Sequence, residues 1–225
     1  MADSDKTYIL FLHHRYTARD NAFYVRLLSG KTTVAVDGGV RFFRKNKLTP
    51  DILIGDFDSS PRLSKKYLEN IEVVAHPVRK DKTDSQLALE LALERGASEI
   101  DICGAMSTSE LDHTLGNIFL LESAHRYAKK VKRDIMVRLI SPDWIARLVV
   151  NDTVALQGRR GDMVSLVPLI AGCRVAYSGL DFPAPKTALM VGDSLTLRNR
   201  FVSRRARVTV RGRMLIIIGR GGKNK

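Results

Sequence analysis

Asp56 and Asp58 flank a single aromatic at the end of an aliphatic run, in the stretch TPDILIGDFDSS at residues 49–60. A glycine followed by alternate acids at the mouth of a buried strand suits a metal or phosphate site better than a solvated turn. The pattern recurs along the chain. Val34-Ala35-Val36 ends in Asp37-Gly38-Gly39, the apolar residues around Val73-Val74 lead into Lys80-Asp81-Lys82-Thr83-Asp84, and Ile100 to Cys103 leads into Gly104-Ala105 and then Asp112-His113. Carboxylates gathered in one cleft repel each other unless a cation joins them. Mg²⁺, a hard ion that takes oxygen ligands, is the usual one where phosphates are present. Gly38, Gly39 and Gly55 would let backbone N–H groups approach a phosphate with no Cβ in the way.

Each piece alone has an ordinary explanation. Thr83-Asp84-Ser85-Gln86 fits a capping box, with Thr83 as N-cap and Gln86 three residues on. Asp37-Gly38-Gly39 fits a strand-to-helix turn, and Asp112-His113 fits a helix cap. His13-His14 reads as a polar loop rather than a ligand contact, and Trp144 as an interdomain packing residue. The joint occurrence carries the argument, because open parallel sheets bind ligands in the crevice beyond the carboxyl ends of their strands. Neither GxGxxG nor GxxxxGK[ST] occurs, which disfavours the usual dinucleotide fold and a P-loop.

The elements that must position these residues follow from the apolar spacing. Short aliphatic strands are expected at Tyr8–Leu12, Val34–Val36, Ile52–Ile54, Ile71–Ala75, Ile100–Cys103 and Ile135–Ile140, alternating with helices, the pattern of a parallel α/β sheet. The clearest helices are Asp84–Arg95, stopped by Gly96, and about Leu111–Val131, whose last turn is basic. Beyond residue 150 the rhythm changes to short β segments, at Thr153–Leu156, Met163–Val167, Arg174–Tyr177, Ser194–Leu197, Arg207–Val210 and Met214–Ile218, with a tight connection at Arg211-Gly212. The expected architecture is an α/β parallel-sheet, Rossmann-like domain over 1–149, followed by a small all-β sandwich or barrel over 150–225.

Composition narrows the setting. The 225 residues, 44% apolar and 27% charged, supply ample material for a core. No apolar run is long enough for a membrane span, and the start MADSDK lacks a secretory pattern, so a cytoplasmic protein without a membrane partner is expected. Cys103 and Cys173 stand apart with no CxxC or Cys/His cluster and read as reduced structural thiols. The net charge of +13 is concentrated late: residues 151–225 hold 14 Lys or Arg against 4 Asp. Such a surface serves solubility as well as binding, and nucleic acid is not the expected partner.

VAVDGGVRFF, LTPDILIGDFDS, KDKTDSQLAL and LDHTLGNIFLL, with GDMVSLVPL, SGLDFP and RGRMLIIIG further on, resemble in order and spacing the motifs of the thiamine pyrophosphokinases. The resemblance implies a homodimeric enzyme that uses ATP and Mg²⁺ to place a diphosphate on the hydroxyl of thiamine, releasing AMP. It implies that Asp56, Asp58, Asp81 and Asp84 form the catalytic and metal-binding set. Asp37, Gly38, Gly39, Gly55, Thr83, Gly104, Asp112, His113 and Asn117 would hold the nucleotide. Arg198 and Asn199 would meet the acceptor. Two segments depart from the family pattern. Ser107-Thr108-Ser109-Glu110 replaces Gly-Gly-Arg, and Arg198-Asn199-Arg200 replaces Ser-Asn-Glu. A cation beside cationic thiamine is unfavourable, so a pterin-type hydroxymethyl acceptor is one alternative. A noncatalytic nucleotide- or RNA-binding protein is another.

Overall fold

The computed structural model describes residues 6–56, 63–77, 81–106 and 110–220. The chain divides into two compact units, residues 1–142 and 143–225. It combines a parallel-strand sheet with antiparallel sheets, and so is mixed α/β.

In the first unit six strands form a wholly parallel run: β1 (Lys6–Phe11), β2 (Thr32–Val36), β3 (Ile52–Gly55), β4 (Glu72–Ala75), β5 (Ala97–Cys103) and β6 (Met136–Ile140). Their order is β4-β3-β2-β1-β5-β6. Registers such as Phe11 opposite both Ala35 and Cys103, and Gly55 opposite Ala75, align the carboxyl ends along one edge. The central strands are buried on both faces, which is why they read as unbroken aliphatic runs rather than alternating ones. The helices are α1 (Ala18–Arg26), α2 (Val40–Lys45), α3 (Lys65–Leu68), α4 (Asp84–Glu94) and α5 (Leu111–Val131). Phe11 is the hub of an aromatic cluster, stacked on Phe42 at 4.2 Å and edge-on to Tyr24 and Phe43. Gly39 makes this packing possible, since a Cβ there would lie 1.9 Å from the Phe11 carbonyl oxygen.

One ion-paired network lies within the sheet. Asp101 is fully buried on β5, where Lys31 and Arg138 both pair with it, and Arg138 also pairs with Glu99. Removing either cation would leave a buried carboxylate short of partners, a costly defect.

The second unit is antiparallel. In one sheet β13 (Arg213–Gly219) pairs with β7 (Trp144–Val150) and β9 (Met163–Pro168), and β9 with the short β11 (Asn199–Arg200). The other has the order β10 (Arg174–Ser178), β12 (Arg205–Arg211), β8 (Thr153–Gln157). Inward residues of both sheets share one core, including Leu156, Val164, Leu166, Val208, Met214 and Ile216. Two features differ from the sequence expectation. β7 is absent from the expected strands, and its residues carry no clean alternation that would reveal it. Ser194–Leu197 is turn rather than strand: Thr196 and Leu166 exchange backbone and side-chain hydrogen bonds, and regular pairing with β9 begins only at Asn199 in β11.

Candidate functional site at the strand ends of the first unit

The strand order fixes where a ligand crevice must lie. From β1 the chain proceeds through β2, β3 and β4 on one side, then crosses to β5 and β6 on the other. The connections leaving β1 and β5 therefore diverge at their carboxyl ends, the switch point at which α/β sheets hold ligands.

At the β2 and β3 ends, Asp37 takes a left-handed conformation with φ 48° and opens a short 3₁₀ turn over Asp37–Gly39. Gly55 has φ 147°, and a Cβ on it would meet Asp37 backbone and Cβ atoms at 3.1–3.3 Å. Gly55 thus lets the end of β3 lie close against Asp37 at the end of β2. The space a Cβ would fill at Gly38 is occupied by the His13 ring, 2.7 Å away, so both glycines of the DGG turn serve the chain's own packing against β1. The His76 N–H donates to the Gly55 carbonyl at 3.0 Å and ties β4 to β3 just ahead of the acid-bearing segment.

Asp81 is exposed and Asp84 half-buried at the start of α4. Thr83 is the N-cap: its hydroxyl accepts from the Gln86 N–H at 3.3 Å, while the Gln86 side chain donates to Glu90 rather than reaching back. Half of the expected capping box is present. Beyond β5, Gly104 adopts φ 77°, and its missing Cβ admits the Tyr16 hydroxyl and His14 Cβ. The Asn117 amide donates to the Ala105 carbonyl at 3.0 Å, pinning this loop to α5. Asp112 and His113 are exposed on the first turn of α5, with an Asp112 oxygen accepting from the His113 N–H.

Asp58 and Ser107–Ser109 lie outside the described residues. Among the described residues, no three His, Cys, Asp or Glu side chains stand close enough together to hold a metal ion. The donors do fit Mg²⁺ in kind, being carboxylate oxygens carried by the ends of adjacent strands.

The sequence analysis reads His14 as part of a polar loop and gives Tyr16 no role. Tyr16 is buried, and its hydroxyl reaches the Leu12 carbonyl at 2.9 Å and the Cys103 carbonyl at 3.2 Å, clipping the β1 and β5 ends together. Burial raises its pKa well above the usual tyrosine value. The His14 ring meets Tyr16 edge-on at 5.3 Å and lies near the Met106 backbone. Burial, with help from His13, lowers its pKa; Asp20 and the Met106 contact act the other way. Position immediately after β1, at the switch point, was the available signal.

In the second unit the two residues expected to meet the acceptor differ sharply. Arg198 is exposed with φ 57°, and its N–H donates to the Ser165 hydroxyl. Asn199 is buried and fully engaged: its oxygen accepts from the Phe182 and Arg200 N–H groups, and its amide donates to the Phe182 carbonyl and the Tyr177 hydroxyl.

Residues 26–133 match the family model described as thiamin pyrophosphokinase, catalytic domain, and this segment contains β2 to β5 with every strand-end acid discussed above. Over this segment the chain is similar to the thiamin pyrophosphokinases. A thiamine pyrophosphokinase of Bacillus subtilis (strain 168) is 27% identical over 189 residues, covering 82% of this chain and 85% of that protein. The fold is shared with a crystal structure of a thiamine pyrophosphokinase from B. subtilis, at 23% identity and TM-score 0.79, covering 96% of this chain and 99% of that one. It is shared equally with a thiamin pyrophosphokinase from Candida albicans, at 14% identity and TM-score 0.78, covering 95% and 89%. None of these likenesses favours the pterin-type acceptor or the noncatalytic role. No helix among the described residues is long and apolar enough to cross a membrane.

Proposed function

We propose that the protein is a thiamine pyrophosphokinase, transferring diphosphate from ATP to the hydroxyl of thiamine with release of AMP. The observation that carries this is the catalytic-domain match over residues 26–133, which spans the strand ends where Asp37, Asp56, Asp81 and Asp84 emerge. In this reading the thiamine hydroxyl attacks the β-phosphorus of ATP as the bond to the α-phosphate oxygen breaks. Catalysis is mostly alignment and charge neutralisation.

Asp56, Asp58, Asp81 and Asp84 would hold Mg²⁺, which when bound neutralises the triphosphate. Asp37 lies beside that set across Gly55. Thr83, Gly104, Asp112, His113 and Asn117 would form the nucleotide side, with Asn117 acting through its grip on the loop after β5. Asp81 or Asp84 would accept the hydroxyl proton. The second unit would supply acceptor contacts and the surface of a homodimer, and the setting would be cytoplasmic. Asn199 serves by shaping the loop around Phe182, and Arg198, exposed, leaves the cationic substrate unopposed.

Incubation with ATP, Mg²⁺ and thiamine should give AMP and thiamine diphosphate in equal amounts, with neither formed when thiamine is omitted or EDTA added. AMP released without thiamine, or none released with it, would overturn the assignment.

A further inference from the structure

The outward face of the β10-β12-β8 sheet has a composition that catalysis does not require. Strand alternation and register place its side chains unambiguously. Ala206, Val208 and Val210 of β12 point into the core, so Arg205, Arg207, Thr209 and Arg211 point out. Opposite them on β10 stand Arg174, Ala176 and Ser178, and on β8 Gln157, Ala155 and Thr153. Four of these ten outward residues are arginine and none is acidic.

Three facts argue that this is more than a solvated surface. Arg174 and Arg211 are directly opposed across the β10-β12 pair, an arrangement that destabilises a sheet. None of the four guanidinium groups has an ion pair or side-chain hydrogen bond among the described residues. Finally, 11 of the 14 basic residues in 151–225 are arginine. The planar arginine fork matches phosphate oxygens, whereas lysine serves solubility equally well. Small neighbours at Ala155, Ala176 and Ser178 leave the guanidinium groups unobstructed. At the Arg211 end an open depression of about 430 Å³ is lined by Asn151, Asp152, Thr153, Thr209, Val210 and Arg211. Asp152, the one acid among them, turns an oxygen to the Thr153 N–H.

We infer that this face binds the phosphate backbone of a nucleic-acid duplex, without reading its sequence. Arg205 and Arg207 are about 7 Å apart along the strand, and Arg207 and Arg211 about 13 Å, so the row can follow a line of phosphates. The face carries no aromatic side chain, and single-strand binders depend on aromatic platforms for stacking. The charge total in the sequence does not show this, because it gives no positions; the register does. The inference does not rest on the proposed enzymatic activity.

The test is fluorescence anisotropy of the full chain with labelled 20-base-pair RNA and DNA duplexes between 50 and 200 mM salt. Four phosphate contacts predict a log–log slope of about −3.6, a roughly 10²-fold loss of affinity over that range. Arg207→Ser/Arg211→Ser should reduce the slope to about −2, and Arg205→Ser/Arg207→Ser should do the same if the first pair folds poorly. Arg211→Ser removes the opposed pair with Arg174, so its Tm should equal or exceed that of the unaltered protein. The inference is overturned by absence of duplex binding at 50 mM salt, by variants that bind like the parent, by tighter binding of single-stranded RNA of the same length, or by binding only to phosphatidylserine vesicles. A difference between the RNA and DNA arms identifies which duplex the face prefers.

Discussion

The two units place their chemistry in different parts of a β-sheet. In the first, helices accompany parallel strands whose central members are buried, and the residues proposed for the site fall at or beyond the strand ends. In the second, antiparallel strands keep one face outside, and polar residues accumulate on that face, as the arginines of β12 do. A parallel sheet therefore advertises its site as interruptions in aliphatic runs. An antiparallel sheet hides its surface in the alternation and reveals it only when register is known.

Asn199 is where the comparison can be broken most visibly. If residues of the second unit act through the surface they present, Asn199 is structural, because its four hydrogen bonds hold the Phe182 segment. Asn199→Ala should then cost about 1–3 kcal/mol from the unpaired buried groups, lowering Tm by several degrees. A large rise in the Michaelis constant for thiamine with unchanged Tm would instead make it a direct contact.

His14 sharpens the comparison with a smaller effect. Its folded pKa lies below the unfolded value of about 6.5, so between those two values the unfolded chain binds more protons and stability rises with pH. Its contribution is complete above the unfolded pKa and is lost as pH falls below it. Thermal melts at pH 7.5 and 5.5 should show a smaller acid loss for His14→Gln than for the parent. Equal losses would remove His14 from the switch-point clip.

The legibility of the sequence follows the same division. Ile52-Leu53-Ile54-Gly55 and Val34-Ala35-Val36 were readable as buried strands ending in acids because both faces need apolar residues. α4 was readable from its Thr83 cap and its Gly96 stop. β7 was not, since Trp144–Val150 mixes exposed, half-buried and buried residues without strict alternation. Ser194–Leu197 looked like a strand because Leu195 and Leu197 alternate, yet both are exposed and only Thr196 is buried. The His14–Tyr16 clip was hidden because its meaning depends on β5, nearly ninety residues later in the chain. The fourfold use of Asn199 could not be inferred from an Arg-Asn-Arg triplet.

The account rests on carboxylates at the ends of β3 and β4 holding one divalent ion against a nucleotide's phosphates. Mn²⁺ binding measured by electron paramagnetic resonance in the presence of α,β-methylene-ATP tests this directly, because that analogue cannot be cleaved where the reaction breaks ATP. The unaltered protein should show one nucleotide-dependent Mn²⁺ site per chain, weakened by at least about 10-fold in Asp56→Asn without a change in Tm. The same Mn²⁺ affinity in Asp56→Asn and in the unaltered protein would contradict the account.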